Sequence, residues 1–122
     1  ADLIRPDSRV LVLHDRETAD PLAYCQFRFA IEGGVATLRI LDLQVERRVQ
    51  RRGIGTHIVR LLERVASFHR MSCVSLECFE SNKRAKEFLR EMGFVVVGSC
   101  GENNAYIRWE KPLLVSHATA AA

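Results

Sequence analysis

Hydrophobic residues change their spacing near residue 54, and the change marks where strands give way to a helix. Val10 to His14 is a short apolar run closed by the polar stretch Asp15-Arg16-Glu17-Thr18-Ala19-Asp20-Pro21, which predicts a strand entering a hairpin. Leu22 to Ile31 predicts the next strand, and Gly33-Gly34 supplies a second tight turn. The third run, Ala36 to Glu46, is nearly all apolar up to Asp42, as expected of a central strand covered on both faces. From Ile54 the period is helical: Ile58, Leu61, Leu62, Val65, Ala66 and Phe68 fall on one broad face, with Arg60, Glu63 and Arg64 largely outside it. Val74 to Phe79 reads as a further strand. Ser81-Asn82 then opens a second helix, with Ala85, Phe88, Leu89 and Met92 inward and Gly93 as its stop. Phe94 to Val97 and Ala105 to Trp109 predict two last strands, joined by a turn from Gly98 to Asn104, and a disordered tail is expected over 113–122. The order is strand, strand, strand, helix, strand, helix, strand, strand. It implies an α/β fold with a mixed sheet, antiparallel at first, and a right-handed crossover through the helix that follows Gly53.

Composition narrows the class. At 122 residues and 48% hydrophobic content, the chain fits one domain over 1–122, with a core that needs no metal or disulfide staple. No run of apolar residues is long enough to span a bilayer, and the amino terminus, Ala1-Asp2-Leu3-Ile4-Arg5, lacks the basic and apolar blocks of a signal peptide. With no starting Met, the chain is expected to be a processed or trimmed form. Cys25, Cys73, Cys78 and Cys100 lie in apolar segments without a Cys-x-x-Cys pair, so reduced core thiols are expected and a metal site is not. The net charge of +3 argues against a dedicated nucleic-acid binder, although Arg47, Arg48, Arg51 and Arg52 crowd one loop. A solvated loop is the ordinary fate of such a run.

That loop carries the chemistry. Gln50-Arg51-Arg52-Gly53-Ile54-Gly55-Thr56 lies between the apolar strand and the amphipathic helix. Its two glycines let the backbone approach an anion closely, and the unpaired N–H groups of a helix start point toward it. A ligand bearing phosphate is implied. Ordinary turn chemistry would account for the glycines equally well, and Asn82 has an ordinary role as the cap of its helix.

The glycine turn, followed at this separation by Asn82-x-x-Ala85-x-x-Phe88 and Gly93-Phe94, resembles the GCN-five-related N-acetyltransferase (GNAT) superfamily, whose members take acetyl from acetyl-coenzyme A. The similarity runs from about Val10 to Trp109. Within it, Phe27-Arg28-Phe29 with Glu32, Gln44-Val45-Glu46, and Cys100-Gly101-Glu102 with Tyr106 look like the NatD group, which acetylates the N-terminal α-amine of histone tails beginning Ser-Gly-Arg-Gly. The resemblance implies a GNAT fold and a protein N-terminus, a histone tail, as acceptor. It also implies a location in cytoplasm or nucleus. Neither a metal, a nucleic acid nor a membrane is expected as a partner.

The resemblance also implies roles for single residues. Backbone around Leu43, Gln44 and Val45 would hold the pantetheine arm, often at a bulge whose free N–H groups reach the thioester carbonyl. Gln50, Arg51, Arg52, Gly53, Ile54, Gly55 and Thr56 would bind the pyrophosphate, and Asn82, Ala85 and Phe88 would also lie against coenzyme A. Asp42 is the candidate base for the attacking amine, with a water relay favoured because the family has the longer Glu there; a structural carboxylate bonded within the sheet is the alternative. Glu46 is a weaker candidate base. Tyr106 would orient the amine, while Glu32 and Glu102 would meet a basic peptide. Many members carry a Tyr after the Phe88 position to protonate the departing thiolate; here it is Leu89, a departure that NatD-like proteins share. Ala30 stands where the group has an acid, and Arg39 and Leu41 where it has tyrosines. These leave open a lysine side chain or small amine as acceptor, or a non-catalytic module that only binds acyl-coenzyme A. The superfamily begins with a strand and helices that wall the peptide groove, and this chain, starting at about the second strand, is expected to lack part of that wall.

Overall fold

The computed structural model describes residues 7–114. Strands β1 (Ser8–His14), β2 (Pro21–Glu32) and β3 (Val35–Val45) form an antiparallel meander; helix α1 (Ile54–Phe68) crosses to β4 (Cys73–Phe79), and helix α2 (Lys83–Glu91) leads to β5 (Val95–Cys100) and β6 (Tyr106–Pro112). The sheet runs β1-β2-β3-β4-β6-β5, with β3 and β4 parallel and every other neighbour antiparallel.

Both helices cover one face. Leu38, Ile40, Phe27, Cys25, Val74, Ile107 and Trp109 of the strands form one cluster with Ile58, Val59, Leu62 and Ala66 of α1 and Leu89 of α2. Polar groups mark the same side: Lys111 Nζ of β6 lies 2.9 Å from Glu63 of α1, and Arg90 of α2 sits over the Trp109 ring at 5.8 Å. The register sets the opposite face. Ser75 pairs with Glu110 and Glu77 with Arg108, so these residues, with Arg39 and Arg28 beyond them, line the side without helices.

One irregularity governs the site. On β3 the pairs Phe27↔Ile40 and Gln26↔Asp42 are consecutive, leaving Leu41 as an extra residue, a β-bulge. Side chains alternate along a strand, so in an unbroken ladder Asp42 would follow Leu38 and Ile40 onto the core face. The bulge reverses that phase. Leu43 and Val45 now pair with Cys25 and Ala23 and pack on the core, while Asp42 and Gln44 pair with Gln26 and Tyr24 on the side without helices.

Boundaries follow the sequence reading closely, with three corrections. Phe68 is 83% exposed, because it follows the half-buried Leu61 by seven residues and shares that rim of the helix, not the centre of its apolar stripe. β5 does not stop at Val97: a second bulge carries it to Cys100, and the turn shrinks to a 3₁₀ turn over Glu102–Asn104. The expected loose tail does not hold at Leu113, whose amide donates to Ser72 O at 2.9 Å and whose side chain packs against the core; the rest of that expectation, over 115–122, lies outside the described residues. Asn82 caps α2 by accepting the Ala85 amide at 3.1 Å, and Gly93, at φ +90°, ends the helix while the Phe94 amide reaches back to Leu89 O at 2.9 Å. Cys25 and Cys73 are buried, and all four cysteines are free thiols; burial pushes the Cys25 thiol up to about 12.

The bulge can be tested by deletion. Removing Leu43 puts Asp42 or Gln44 on the core face, and we expect loss of cooperative unfolding in a urea titration followed by circular dichroism, whereas removing Leu41 leaves Asp42 opposite Gln26 and Leu43 opposite Cys25 and is expected to preserve it. Leu41→Ala keeps the register and, at a residue 36% exposed, is expected to cost at most about 1 kcal/mol. Equal stability of the two deletions would refute the phase-setting role.

Candidate functional site

β3 and β4 pair only over Thr37–Arg39 with Cys73–Ser75, yet β3 continues to Val45 and β4 to Phe79. Beyond the bulge they part. The gap opens at the carboxyl ends of two parallel strands, where α/β sheets commonly place ligands. A cavity of about 940 Å³ occupies it and extends under α1 and α2. Leu43 and Val45 line one wall, Leu76, Glu77, Cys78 and Phe79 the other, and the first turns of both helices close the end.

The loop before α1 forms that end. Gln50 Nε2 donates to Val45 O at 3.0 Å, pinning the loop to the end of β3. Arg51 and Gly53 both have positive φ, +66° and +78°, so the backbone turns tightly through a left-handed conformation. Gly53 is the residue before the helix, no side chain caps it, and no acidic residue stands in the first turn. The first helical amide to find a carbonyl is His57, which donates to Gly53 O at 2.9 Å. The amides of Ile54, Gly55 and Thr56 thus sit at the positive end of a 15-residue helix beside the cavity. Gly55 faces the Phe88 ring, where an added Cβ would lie 3.6 Å away, so the two helices approach closely.

Of the residues expected at a coenzyme site, Leu43, Val45, Gln50, Arg51, Gly53, Ile54, Gly55, Thr56, Asn82, Ala85 and Phe88 line this one cavity. Gln44 and Arg52 do not. The bulge phase turns Gln44 outward, where its amide donates to Asp42 at 3.3 Å, and Arg52 is exposed. Arg48 pairs with Asp20 at 3.6 Å, so the arginine cluster splits between a surface ion pair and Arg51 at the cavity.

Asp42 also lines the cavity, held in place by two donors: the Tyr24 hydroxyl, diagonally across the β2–β3 ladder, and the Gln44 amide. The hydrogen bond to Asp42 is the chief cause that raises the Tyr24 pKa. Tyr106 lies at the same sheet face but outside the cavity lining, stacked on Phe79 with ring centroids 4.6 Å apart. Gly101 fits beneath that ring, since a Cβ there would come within 2.8 Å of it. Glu102 is exposed in the adjacent turn, and Glu46 is exposed at the end of β3. Glu32 is not free: it accepts from Ser75 Oγ at 3.1 Å and pairs with Arg39 at 3.8 Å.

Four contributors went unread in the sequence. Tyr24 is placed by a cross-strand register that no spacing discloses. Arg84 and Phe79 line the cavity from α2 and β4. Arg39 stood out only as a departure from the NatD pattern, yet its Nη2 lies 2.9 Å from Glu77 Oε2, which also accepts from Cys100 Sγ at 3.2 Å and has Arg108 at 3.9 Å. Burial pushes the Glu77 carboxyl up, but the Arg39 and Cys100 hydrogen bonds and the two guanidinium charges outweigh it, leaving the group below its ordinary value.

The arrangement fits a ligand with a phosphate at one end and an extended arm. The uncapped helix start supplies anion donors, the splayed strands a channel, and Asp42 a carboxylate beside it.

Comparisons agree with this geometry. The acetyltransferase (GNAT) family profile matches residues 1–94. Nourseothricin acetyltransferase superposes with a TM-score of 0.76 at 21% identity, covering 89% of this chain and 67% of that one. NAA60 of Arabidopsis thaliana, solved with a bisubstrate analogue, gives 0.74 at 16% identity, covering 90% and 78%. Aminoglycoside 6'-N-acetyltransferase, solved with coenzyme A, gives 0.73 at 15% identity, covering 89% and 74%. The chain spans about two thirds of the length of several solved structures it matches. With the profile covering most of the sequence and the fold shared by these structures, the chain belongs to the GNAT acetyltransferase family.

Proposed function

We propose that the chain transfers acetyl from acetyl-coenzyme A to the N-terminal α-amine of a polypeptide. The single observation that carries this reading is the channel between the parted strands, which runs from an uncapped helix start to a carboxylate on the other face of the sheet. In the proposed arrangement the amides of Ile54, Gly55 and Thr56 and the Arg51 side chain bind the pyrophosphate. Leu43, Val45, Ala85 and Phe88 flank the arm, and Asn82 caps its helix at the rim. Bound acetyl-coenzyme A supplies the thioester carbon that the amine attacks. Main-chain N–H groups released at the Leu41 bulge stabilise the charge that develops on the carbonyl oxygen.

The amine must lose its ammonium proton to attack, and Asp42 takes that proton, directly or through one water. Tyr24 and Gln44 fix the orientation of that carboxylate. Leu89 is buried and cannot donate, so the departing thiolate takes its proton from solvent.

The resemblance in Phe27-Arg28-Phe29, Glu102 and Tyr106 extends the proposal to a NatD-type enzyme acting on a histone-like tail in cytoplasm or nucleus. N-terminal acetylation is work done by some structural neighbours, such as the ribosomal-protein-S18-alanine N-acetyltransferase of Escherichia coli, whereas others act on antibiotics. A small amine as acceptor is the second reading, favoured by the pairing of Glu32 with Arg39 and Ser75, which leaves that carboxylate unavailable to a basic peptide.

Four outcomes are expected. Incubated with acetyl-coenzyme A and a Ser-Gly-Arg-Gly-Lys peptide, the chain places acetyl on the α-amine by tandem mass spectrometry; label on lysine alone would sink the α-amine reading. Gly53→Glu sets a carboxylate and a strained φ at the phosphate seat and weakens coenzyme A binding about tenfold or more by calorimetry, while unchanged affinity would remove the cradle from the account. Asp42→Asn lowers kcat by about a hundredfold with little change in KM for acetyl-coenzyme A. Tyr24→Phe retains more activity but lowers kcat, because the carboxylate keeps the Gln44 donor and loses the Tyr24 hydroxyl that helps orient it. An unchanged kcat in that variant would make Tyr24 a packing residue only.

A further inference from the structure

The sheet face that carries Asp42 also carries the most connected set of charges among the described residues. Arg39, three positions before Asp42 on β3, reaches Glu77 on β4 at 2.9 Å and Glu32 on β2 at 3.8 Å. The Arg39 side chain is 17% exposed, and those of Glu32 and Glu77 are 20% and 30% exposed, so the pairs are shielded from bulk water and weakly screened. Ser75 donates to Glu32, Cys100 donates to Glu77, and Arg108 approaches Glu77 from β6. Glu77 lines the same cavity as Asp42, on the opposite wall of the gap.

Charge balance follows directly. Two carboxylates face two guanidiniums, and the strongest contact is the one Arg39 makes. Without Arg39, Glu32 and Glu77 would make this wall acidic and attractive to a cationic acceptor. With it, a cationic acceptor meets carboxylates already paired and two guanidinium groups that repel it. Displacing Arg39 would strand it in a partly buried position, a cost that an incoming Arg or Lys has to offset before it gains anything.

We propose that Arg39 is a specificity-determining residue. By neutralising Glu32 and Glu77 it makes the acceptor wall beside Asp42 charge-balanced, so that an α-amine on an uncharged polypeptide end is preferred over one on a basic tail. The inference rests on the α-amine part of the proposed function and narrows its substrate class, and it counts against the extension of that proposal to a histone-like tail. Arg39 acts through the two carboxylates it pairs and takes no part in proton transfer.

The test compares two peptides that share their first residue, Ser-Gly-Gly-Gly and Ser-Gly-Arg-Gly, with the native chain, Arg39→Gln and Arg39→Lys, following coenzyme A release and confirming the acetyl position by mass spectrometry. The native chain is expected to favour the uncharged peptide by about tenfold in kcat/KM, the scale of one close charge interaction. Arg39→Gln should shift that ratio toward the basic peptide by about tenfold or more, chiefly through KM of the basic peptide, with KM for acetyl-coenzyme A unchanged. Arg39→Lys keeps the charge and should keep the native preference. A native preference for the basic peptide overturns the proposal by itself, even if Arg39→Gln does not fold. Equal losses on both peptides in a folded Arg39→Gln overturn it too, since a structural role alone would produce them. Failure of every chain to acetylate either α-amine overturns the α-amine reading and this proposal together, an outcome distinct from the other two.

Discussion

The parting of β3 from β4 is the constraint on which the site depends. Parallel neighbours normally stay paired along their length, because each unmade ladder bond leaves amide groups to be satisfied elsewhere. Here pairing stops after Arg39 and Ser75, next to the extra residue at Leu41. A bulge bends its strand and strengthens its twist, which carries the end of β3 away from β4. Left out of the ladder, the same residue also fixes the phase of the strand, keeping Leu43 and Val45 on the core and Asp42 on the other face. One bulge therefore opens the channel and sets a carboxylate beside it.

The helix start completes the arrangement from the opposite side. Because Gly53 offers no side chain to cap α1, and the first turn holds no acid, the amide dipoles remain available to an outside anion. α1 packs its Ile58, Val59, Leu62 and Ala66 onto the sheet, so burial of that stripe holds the uncapped end at the mouth of the gap. Core packing and the proposed anion seat thus use the same helix at different positions. The approach of the Phe88 ring to Gly55 keeps the second helix close enough to wall the cavity.

Much of this was legible in the sequence because it is local. The change of period at Ile54, the cap at Asn82 and the glycine stop at Gly93 each follow from a few neighbouring residues, and the structure places all three as read. What escaped is set by register. The partners of Asp42 and Arg39 come from β2, β4 and β6, and a single-residue shift in pairing would exchange them for others. Glu32 looked like an exposed acid ready for a basic peptide, because nothing near it in the sequence announces Arg39 and Ser75. Phe68 was misplaced for a related reason: the helical period gives an angle, but not how far the sheet extends beneath it. The length of β5 was misjudged at Gly98, where a glycine that reads as a turn lies within a bulged strand.

The most direct measurement is a crystal structure of the chain with a conjugate joining coenzyme A to the α-amine of a short peptide. The account predicts the pyrophosphate on the amides of Ile54, Gly55 and Thr56, the linker in the gap between Leu41–Leu43 and Leu76–Cys78, and the peptide emerging beside Asp42 and Tyr24 on the face without helices. A conjugate with its pyrophosphate away from the Gly53 turn, or its peptide leaving on the helical side, would contradict it.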